Sequence, residues 1–268
     1  MDIALNVSPC VDVVVPVFNG RGTIEAAIQS VLAQRGAWVR RIIVVDDGST
    51  DDTADVVERL GVESIELLRT SNRGVAAARN LGVDACTSEW VAFLDADDVW
   101  VPHKVDTQLA AARAHGAGFV CTAVRTQSGR EAGPISVRSM VRGNFVATSS
   151  VLVRRDVLQQ VKPLFKPGMA FAEDYLAWLK CITLTDGYYV SEKLVDYILS
   201  ERPRYRWGQI LHNLWALNIE YGRFLREIGS PRLLRIGFGS AVFLGTLRSL
   251  MSIIRRFMSS DGAGTLKE

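Results

Sequence analysis

The sequence predicts an α/β fold: a mostly parallel sheet flanked by helices, with a helical C-terminal extension. Three observations point there. Through the first 125 residues, short apolar runs rich in β-branched side chains alternate with segments of helical period, the pattern of strands joined by crossover helices. These runs are continuously apolar rather than alternating, as expected of strands covered by helices on both faces. The 268-residue chain is 48% hydrophobic and 22% charged, which excludes global disorder and a fibrous repeat and allows one large domain or a domain with an appendage.

Residues Val11–Val17 form the first buried strand, interrupted only by Asp12, and Thr23–Gln34 follow as an amphipathic helix. Arg41–Asp46 (RIIVVD) is a second buried strand. Asp51–Leu60 is a helix, with Ser49, Thr50 or Asp51 as its N-cap. Ser64–Arg69 is a weaker strand, and Gly74–Ala85 is a helix of small residues able to approach a sheet closely. Glu89–Asp95 (EWVAFLD) is the fourth strand, a helix runs from beyond Pro102 to about His115, and Phe119–Val124 is the fifth strand. Right-handed crossovers follow from this order.

Past residue 125 the alternation fails. Thr126–Pro134 reads as a polar loop, Phe145–Arg154 (FVATSSVLVR) as a strand, and the stretch to about Val161 as a helix. Lys162–Ala172, with Pro163, Pro167 and Gly168, reads as a mobile loop. Glu173–Thr183 is helical and 188–199 a strand. Tyr205–Ile228 and Pro231–Met258 are long helical patterns, and Ser259–Glu268 is a frayed tail.

Charge and cysteine content remove several function classes. Lys and Arg number 31 against 29 Asp and Glu, a net charge of +2, too balanced for nucleic-acid binding. The balance is uneven: residues 201–268 carry 11 basic and 5 acidic side chains. Cys10, Cys86, Cys121 and Cys181 are far apart in sequence and the histidines number only three, so neither a CxxC redox motif nor a structural zinc site is expected. Met1–Leu5 has no basic region followed by an apolar run, so no signal peptide is read and a cytoplasmic location is expected. Asn6-Val7-Ser8 matches a glycosylation sequon, which has no meaning without secretion.

In parallel sheets ligands sit beyond the carboxyl ends of the strands. Here those ends read Pro16-Val17-Phe18-Asn19, Asp46-Asp47-Gly48-Ser49 and Asp95-Ala96-Asp97-Asp98. On an extended backbone, carboxylates two residues apart project to one side. Paired hard oxygens suit Mg²⁺ or Mn²⁺, which also bind a substrate diphosphate. Turn chemistry and helix capping explain an isolated Asp cluster equally well, and Asp98 is a ready cap for the helix near Pro102. Thr50–Asp52 read as capping, whereas Asp47 is one carboxylate more than capping needs, at a cost in self-repulsion. Neither GxxxxGK[ST] nor GxGxxG after the first strand occurs, so phosphate is not held by a glycine-rich nest.

Four segments in order, VVVPVFNG (13–20), VVDDGSTDDT (44–53), NRGVAAARNLG (72–82) and FLDADD (93–98), together with Ala172-Glu173-Asp174-Tyr175-Leu176-Ala177-Trp178, resemble the family 2 glycosyltransferases. The last segment is similar to that family's ED-x-x-x-W. The resemblance covers roughly residues 11–200, about three-quarters of the chain. It implies the Rossmann-like GT-A fold, with a catalytic domain over 1–200, a nucleotide-binding half at about 11–125 and an acceptor half at about 126–200. Residues 201–268 are then a basic, largely helical extension. It also implies a metal-dependent, inverting transfer of a sugar from a nucleoside diphosphate, a UDP- or GDP-sugar, to a hydroxyl of a glycan or lipid-linked acceptor. Surface polysaccharide synthesis is the setting it suggests.

Carried over by position, Asp47 would contact the nucleobase near Pro16, Val17, Phe18 and Asn19, and Arg79 would lie at the base or diphosphate. Asp95 would hold the ribose and Asp97 the metal, Mn²⁺ or Mg²⁺. Asp174 would be the general base, its basicity raised by Glu173 beside it. On its own, Glu173-Asp174 also reads as first-turn acids favoured by the helix dipole. Trp178, one turn beyond Asp174, reads as a buttress.

The late histidine with which some GT-A enzymes ligate metal is not apparent, because His212 falls inside a helical pattern. Arg202, Arg204 or Arg206 would assist with phosphate or form a solvated basic face.

The basic tail reads as a peripheral contact with the inner face of the cytoplasmic membrane through 232–258. Arg235 and Arg248 bracket twelve uncharged residues, short of the ~20 a bilayer span needs but suited to an anionic interface. Packing on the catalytic domain or a second subunit is the alternative. Two other functions remain alongside transfer: a sugar nucleotidyltransferase, which lacks its glycine- and basic-rich loop here, and a non-catalytic sugar-nucleotide-binding scaffold.

Overall fold

The structure is a computed structural model that describes residues 10–126, 129–169, 172–196 and 207–229. In chain order its elements begin with β1 (Val11–Val17), α1 (Ile24–Leu32), β2 (Val39–Asp46), α2 (Thr53–Arg59), β3 (Ile65–Arg69), α3 (Val75–Ala85) and β4 (Trp90–Phe93). They continue with β5 (Val99–Trp100), α4 (Lys104–His115), β6 (Phe119–Val124), β7 (Gly133–Ile135), α5 (Val137–Met140) and β8 (Val151–Arg154). The remainder are α6 (Arg155–Gln159), α7 (Glu173–Leu184), β9 (Gly187–Asp196) and α8 (Trp207–Glu227).

The strands form one sheet in the order β3-β2-β1-β4-β8-β6-β9-β5, with β7 on β9. The first four run parallel, as the alternating strand–helix pattern requires. Beyond them the sheet is mixed. Strand β8 is antiparallel to both β4 and β6, whereas β6 and β9 are parallel. Strands β1 and β4 are buried throughout and β2 from Ile42 to Asp46, so these stretches are apolar on both faces, whereas the edge strand β3 is half-buried. Two cores result. One, holding Val14, Val45 and Phe93, lies under α3, α6, α7 and α8; the other, holding Val13, Val15 and Val44, lies under α1, α2 and α4.

Two local features fix the packing around β1. Gly82 faces Val14 and Val45 so closely that a Cβ there would collide with the Val14 side chain, and the absent side chain lets α3 settle onto the sheet. Asp12, in the middle of an apolar strand, is fully buried. Its carboxylate accepts from the Thr87 N–H at 2.7 Å, the Ser88 N–H at 2.9 Å, the Ser88 hydroxyl at 2.8 Å and Arg41 at 3.1 Å. Burial pushes this carboxyl up, but the donors from Ser88, Arg41 and Thr87 outweigh it and hold it below the ordinary range.

The second half departs from the expected elements. Residues 148–150 form a 3₁₀ turn, so the strand expected over Phe145–Arg154 shrinks to β8. The Ser150 N–H and hydroxyl both bond to the Ala147 carbonyl, at 3.0 and 2.7 Å, and side-chain oxygens of this kind compete with a ladder. Strands β5 and β7 were not expected; each exists by pairing with β9. Lys162–Ala172, expected as a mobile loop, is anchored in its described part: Leu164 and Phe165 are buried, and the Asn80 amide bonds both the Phe165 N–H and carbonyl, at 2.9 and 2.7 Å.

Helix α8 contributes Leu217, Tyr221, Phe224 and Leu225 to the core beside α7. The helical pattern Pro231–Met258, the tail from Ser259, residues Arg202, Arg204 and Arg206, the strand beyond Asp196 and the Asn6 sequon lie outside the described residues. Among the described residues, no helix is long and apolar enough to cross a membrane.

Candidate active site

The carboxyl ends of β1 and β2 are stitched by their loops. Asn19 has a positive φ of 52°. Its N–H donates to the Ser49 hydroxyl at 2.9 Å, and its side-chain oxygen accepts the Thr50 N–H at 2.8 Å. The Asp47 N–H reaches the Val17 carbonyl at 2.8 Å. Pro16 and Val17 have buried side chains, so they can offer a ligand only backbone, whereas Phe18 is exposed. The N-cap residue of α2 is Asp52, one beyond the expected Ser49, Thr50 or Asp51, and its side chain makes no capping bond; Asp51 instead accepts from the Thr53 N–H and hydroxyl.

Asp47 is buried. Its two oxygens accept the Arg73 and Gly74 N–H groups, at 2.9 and 2.7 Å, where Gly74 with φ 87° begins α3. Asp47 therefore holds the entry to α3, a task that sequence reading did not assign to it. A carboxylate offers about four acceptor positions, so two bonds do not exhaust it.

Arg79 leaves α3 on the sheet side and is buried. Its guanidinium bonds Asp95 at 2.7 Å and Glu173 at 3.0 Å and lies 5.3 Å from the centre of the Phe165 ring, partners that the sequence did not assign to it. Burial pulls its pKa down, but Asp95 and then Glu173 outweigh that and hold it above the ordinary arginine range. The pairing with Glu173 is not legible locally, because Glu173 lies 94 residues from Arg79.

The backbone after β4 turns at once, with the Asp98 N–H on the Asp95 carbonyl at 3.0 Å. The extended geometry that would project Asp95 and Asp97 to one side is therefore not formed, and one oxygen of Asp95 accepts from Arg79. Asp98 does not cap α4, whose N-cap residue is His103. It is buried and accepts from the Ser149 hydroxyl.

Asp174 sits in the first turn of α7, behind Ala172 with φ 63°. It accepts the Tyr175 N–H at 2.6 Å and the Thr148 hydroxyl at 3.3 Å. Burial, and then the adjacent Glu173, push its carboxyl up to about 7, with Arg79 pulling the other way. Trp178 is fully buried against Phe93, Phe119 and Phe165. Through Phe165 it supports the arginine rather than facing the site.

The structure thus gathers Asp95, Arg79, Glu173 and Asp174 into one network, with Asp97 in the same turn as Asp95. Phe18, Asn19 and Asp47 form a second group at the neighbouring strand ends. Thr148 and Ser149 were missed; the hydroxyl triplet inside an otherwise apolar run was the available signal. Among the described residues, no group of three or more His, Cys, Asp or Glu side chains is placed to hold a metal ion. Magnesium is commonly bound by one or two carboxylates with substrate phosphates and water, and Asp97 fits that sparse set.

The family model of glycosyl transferase family 2 matches residues 12–162. The match spans more than half of the chain, and the chain belongs to this family. An uncharacterized glycosyltransferase of Nostoc sp. is 33% identical over 173 residues, 58% of this chain and 53% of that protein. The Escherichia coli UDP-Glc:α-D-GlcNAc-diphosphoundecaprenol β-1,3-glucosyltransferase WfgD is 28% identical over 181 residues, 64% of this chain and 69% of that protein. The crystal structure of S. aureus TarS 1–349 in complex with UDP-GlcNAc matches with a TM-score of 0.68 at 18% identity, over 79% of this chain and 66% of that one. The fold is therefore GT-A, and the chain spans about half of the Nostoc relative and just under two-thirds of the TarS chain.

Proposed function

We propose that this glycosyltransferase moves a sugar from a UDP- or GDP-sugar to a hydroxyl of a glycan or lipid-linked acceptor, with inversion, in surface polysaccharide synthesis. The observation that carries the reading is the Arg79 bridge. It ties the turn of Asp95 to the helix start that bears Asp174, so a donor-side acidic turn and a proton acceptor belong to one rigid group. The UDP-Glc and diphosphoundecaprenol in the name of WfgD, and the UDP-GlcNAc in the TarS complex, support the donor and acceptor classes.

In this reading Asp174 takes the proton of the acceptor hydroxyl as its oxygen bonds to the anomeric carbon. The bond from that carbon to the diphosphate oxygen breaks on the opposite face, and the configuration inverts. A base poised near neutrality suits such a transfer. Phe18, Asn19 and the backbone of Pro16 and Val17 frame the nucleobase, with the remaining acceptor positions of Asp47 turned to it. Asp95 accepts from the ribose while Arg79 fixes its orientation.

Asp97, with the donor phosphates, would hold Mn²⁺ or Mg²⁺, whose charge would neutralise the departing diphosphate. Peripheral contact with the inner face of the cytoplasmic membrane through 232–258 belongs to the same proposal. It rests on the Arg-flanked apolar sequence, and truncation after Ser230 should release the protein from the membrane fraction.

The test is a panel of nucleotide sugars screened for thermal stabilisation with and without Mn²⁺, followed by release of the nucleoside diphosphate. A UDP- or GDP-sugar should stabilise and be turned over, and Asp97→Asn should abolish the Mn²⁺-dependent part of UDP stabilisation. A protein stabilised by no member of the panel would lie outside this reading.

A further inference from the structure

The turn at residues 148–150 has no part in the reading above, yet it touches both sides of the site. Ser149 is fully buried. Its hydroxyl accepts the Asp95 N–H at 3.0 Å and donates to the buried Asp98 carboxylate. Its carbonyl accepts the Trp100 indole N–H at 2.8 Å. One residue earlier, the Thr148 hydroxyl donates to Asp174 at 3.3 Å. One residue later, the Ser150 carbonyl accepts the Gln108 side chain at 2.8 Å, which also bonds the Val120 carbonyl at 3.0 Å. The turn is thereby locked to α4 and β6, and its two forward hydroxyls point to different halves of the site.

A buried hydroxyl with this pairing is hard to replace. Without it the Asp98 carboxylate loses a charge-assisted partner and the Asp95 N–H loses its acceptor, inside a region with little water to substitute. The loss falls on the turn that carries Asp95 and Asp97. Thr148 acts on something else, because its hydroxyl favours the ionised form of Asp174. The other groups facing Asp174 are Glu173 on its own helix, Arg79 from α3, Asp95 from the turn after β4 and the Tyr175 N–H. None of these is altered by a change at Thr148.

We propose that Thr148 and Ser149 are positioning residues with separate tasks: Ser149 shapes the donor-side turn Asp95–Asp98, and Thr148 orients the Asp174 carboxylate. This rests on the proposed roles of that turn and of Asp174. A purely structural turn would instead damage both functions together, in proportion to lost stability.

The test uses the full chain with Mn²⁺. UDP affinity is read by calorimetry, and the acid limb of the pH–rate profile is read on whichever of UDP-glucose and UDP-N-acetylglucosamine is hydrolysed. Ser149→Ala should weaken UDP binding about tenfold, as expected for one lost bond to a charged group, and leave the acid limb in place. Thr148→Val should move the acid limb up by roughly half a pH unit and leave UDP affinity within about twofold, and Thr148→Ser should restore the wild-type limb. If Ser149→Ala fails to fold, Asp98→Asn weakens the same bond without removing it and should loosen UDP about threefold.

UDP affinity unchanged in Ser149→Ala or Asp98→Asn overturns the donor half. A limb unmoved in Thr148→Val overturns the acceptor half, and so do equal losses in both quantities that track the melting temperature. Should Asp174→Asn itself retain full turnover, the assignment of the base falls and takes the Thr148 half with it. A limb that vanishes in Asp174→Asn but stays still in Thr148→Val removes only the present inference.

Discussion

Replacing Asp174 by asparagine separates stability from chemistry in opposite directions. The carboxyl rises from an ordinary 3.8 to about 7 because it is buried beside Glu173. A raised carboxyl binds its proton more tightly in the folded chain, so its stabilising contribution is complete below about pH 4 and is lost as pH climbs through 7. At pH 8 the folded protein therefore carries an ionised group that the unfolded chain would solvate better, a handicap of about 4 kcal/mol at most. Asparagine keeps the geometry: its oxygen can accept the Tyr175 N–H and its amide can meet the Thr148 hydroxyl. Arg79 is not orphaned, because its direct partners are Asp95 and Glu173.

The variant should thus exceed wild type at pH 8 by about 2–4 kcal/mol, roughly 5–10 °C in melting temperature for a chain of this size. At pH 3, below the ordinary carboxyl value, the two should melt together, with the gap opening from about pH 4 upward. Release of UDP from a turned-over UDP-sugar should fall at least about a hundredfold, as for loss of a general base. The assay is thermal melting of both proteins from pH 3 to 9, with turnover measured alongside. A variant less stable than wild type at pH 8, or one with near-normal turnover, would refute the reasoning.

Arg79→Lys should keep one charge but lose the fork that spans Asp95 and Glu173, lowering turnover at least about tenfold; Arg79→Met should cost about 3–5 kcal/mol in a urea melt, because two acids lose their cation. Asp12 behaves oppositely to Asp174: its carboxyl is held low, so its contribution is present above about pH 4 and fades as pH falls. Asp12→Asn should lose about 2 kcal/mol at pH 7, and less at pH 3, by chemical denaturation. Gly82→Ala should cost about 1–3 kcal/mol, because the new Cβ meets Val14; a neutral result would mean that α3 can lift from the sheet freely.

The legible part of the fold is its first half. Val11–Val17 and Phe119–Val124 were placed to the residue, because a strand buried on both faces must be apolar throughout. Arg41–Asp46 and Glu89–Asp95 were found with their ends shifted slightly. The carboxylates at the strand ends were legible for the same local reason. Polarity concentrated where a buried strand stops is visible without a partner.

The short strands β5 and β7 left no local pattern, because what makes them strands is the backbone of β9, supplied from beyond residue 186. Phe145–Arg154 misled because β-branched content outvoted three adjacent hydroxyls whose hydrogen bonds run to the turn and the site.

What the sequence determined by itself is the parallel half-sheet, the acidic character of its rim and the acids that open α7. Burial pattern and residue type at one place in the chain suffice for these. Which acid pairs with which cation was decided only by tertiary structure. Arg79 could have served any anion near the rim. It is spent on Asp95 and Glu173 because α3, seated by Gly82, delivers the guanidinium into a space closed by Phe165 and α7. A buried charge must take whatever opposite charge the fold brings within reach, and that reach is a property of the packed elements, not of their order in the chain.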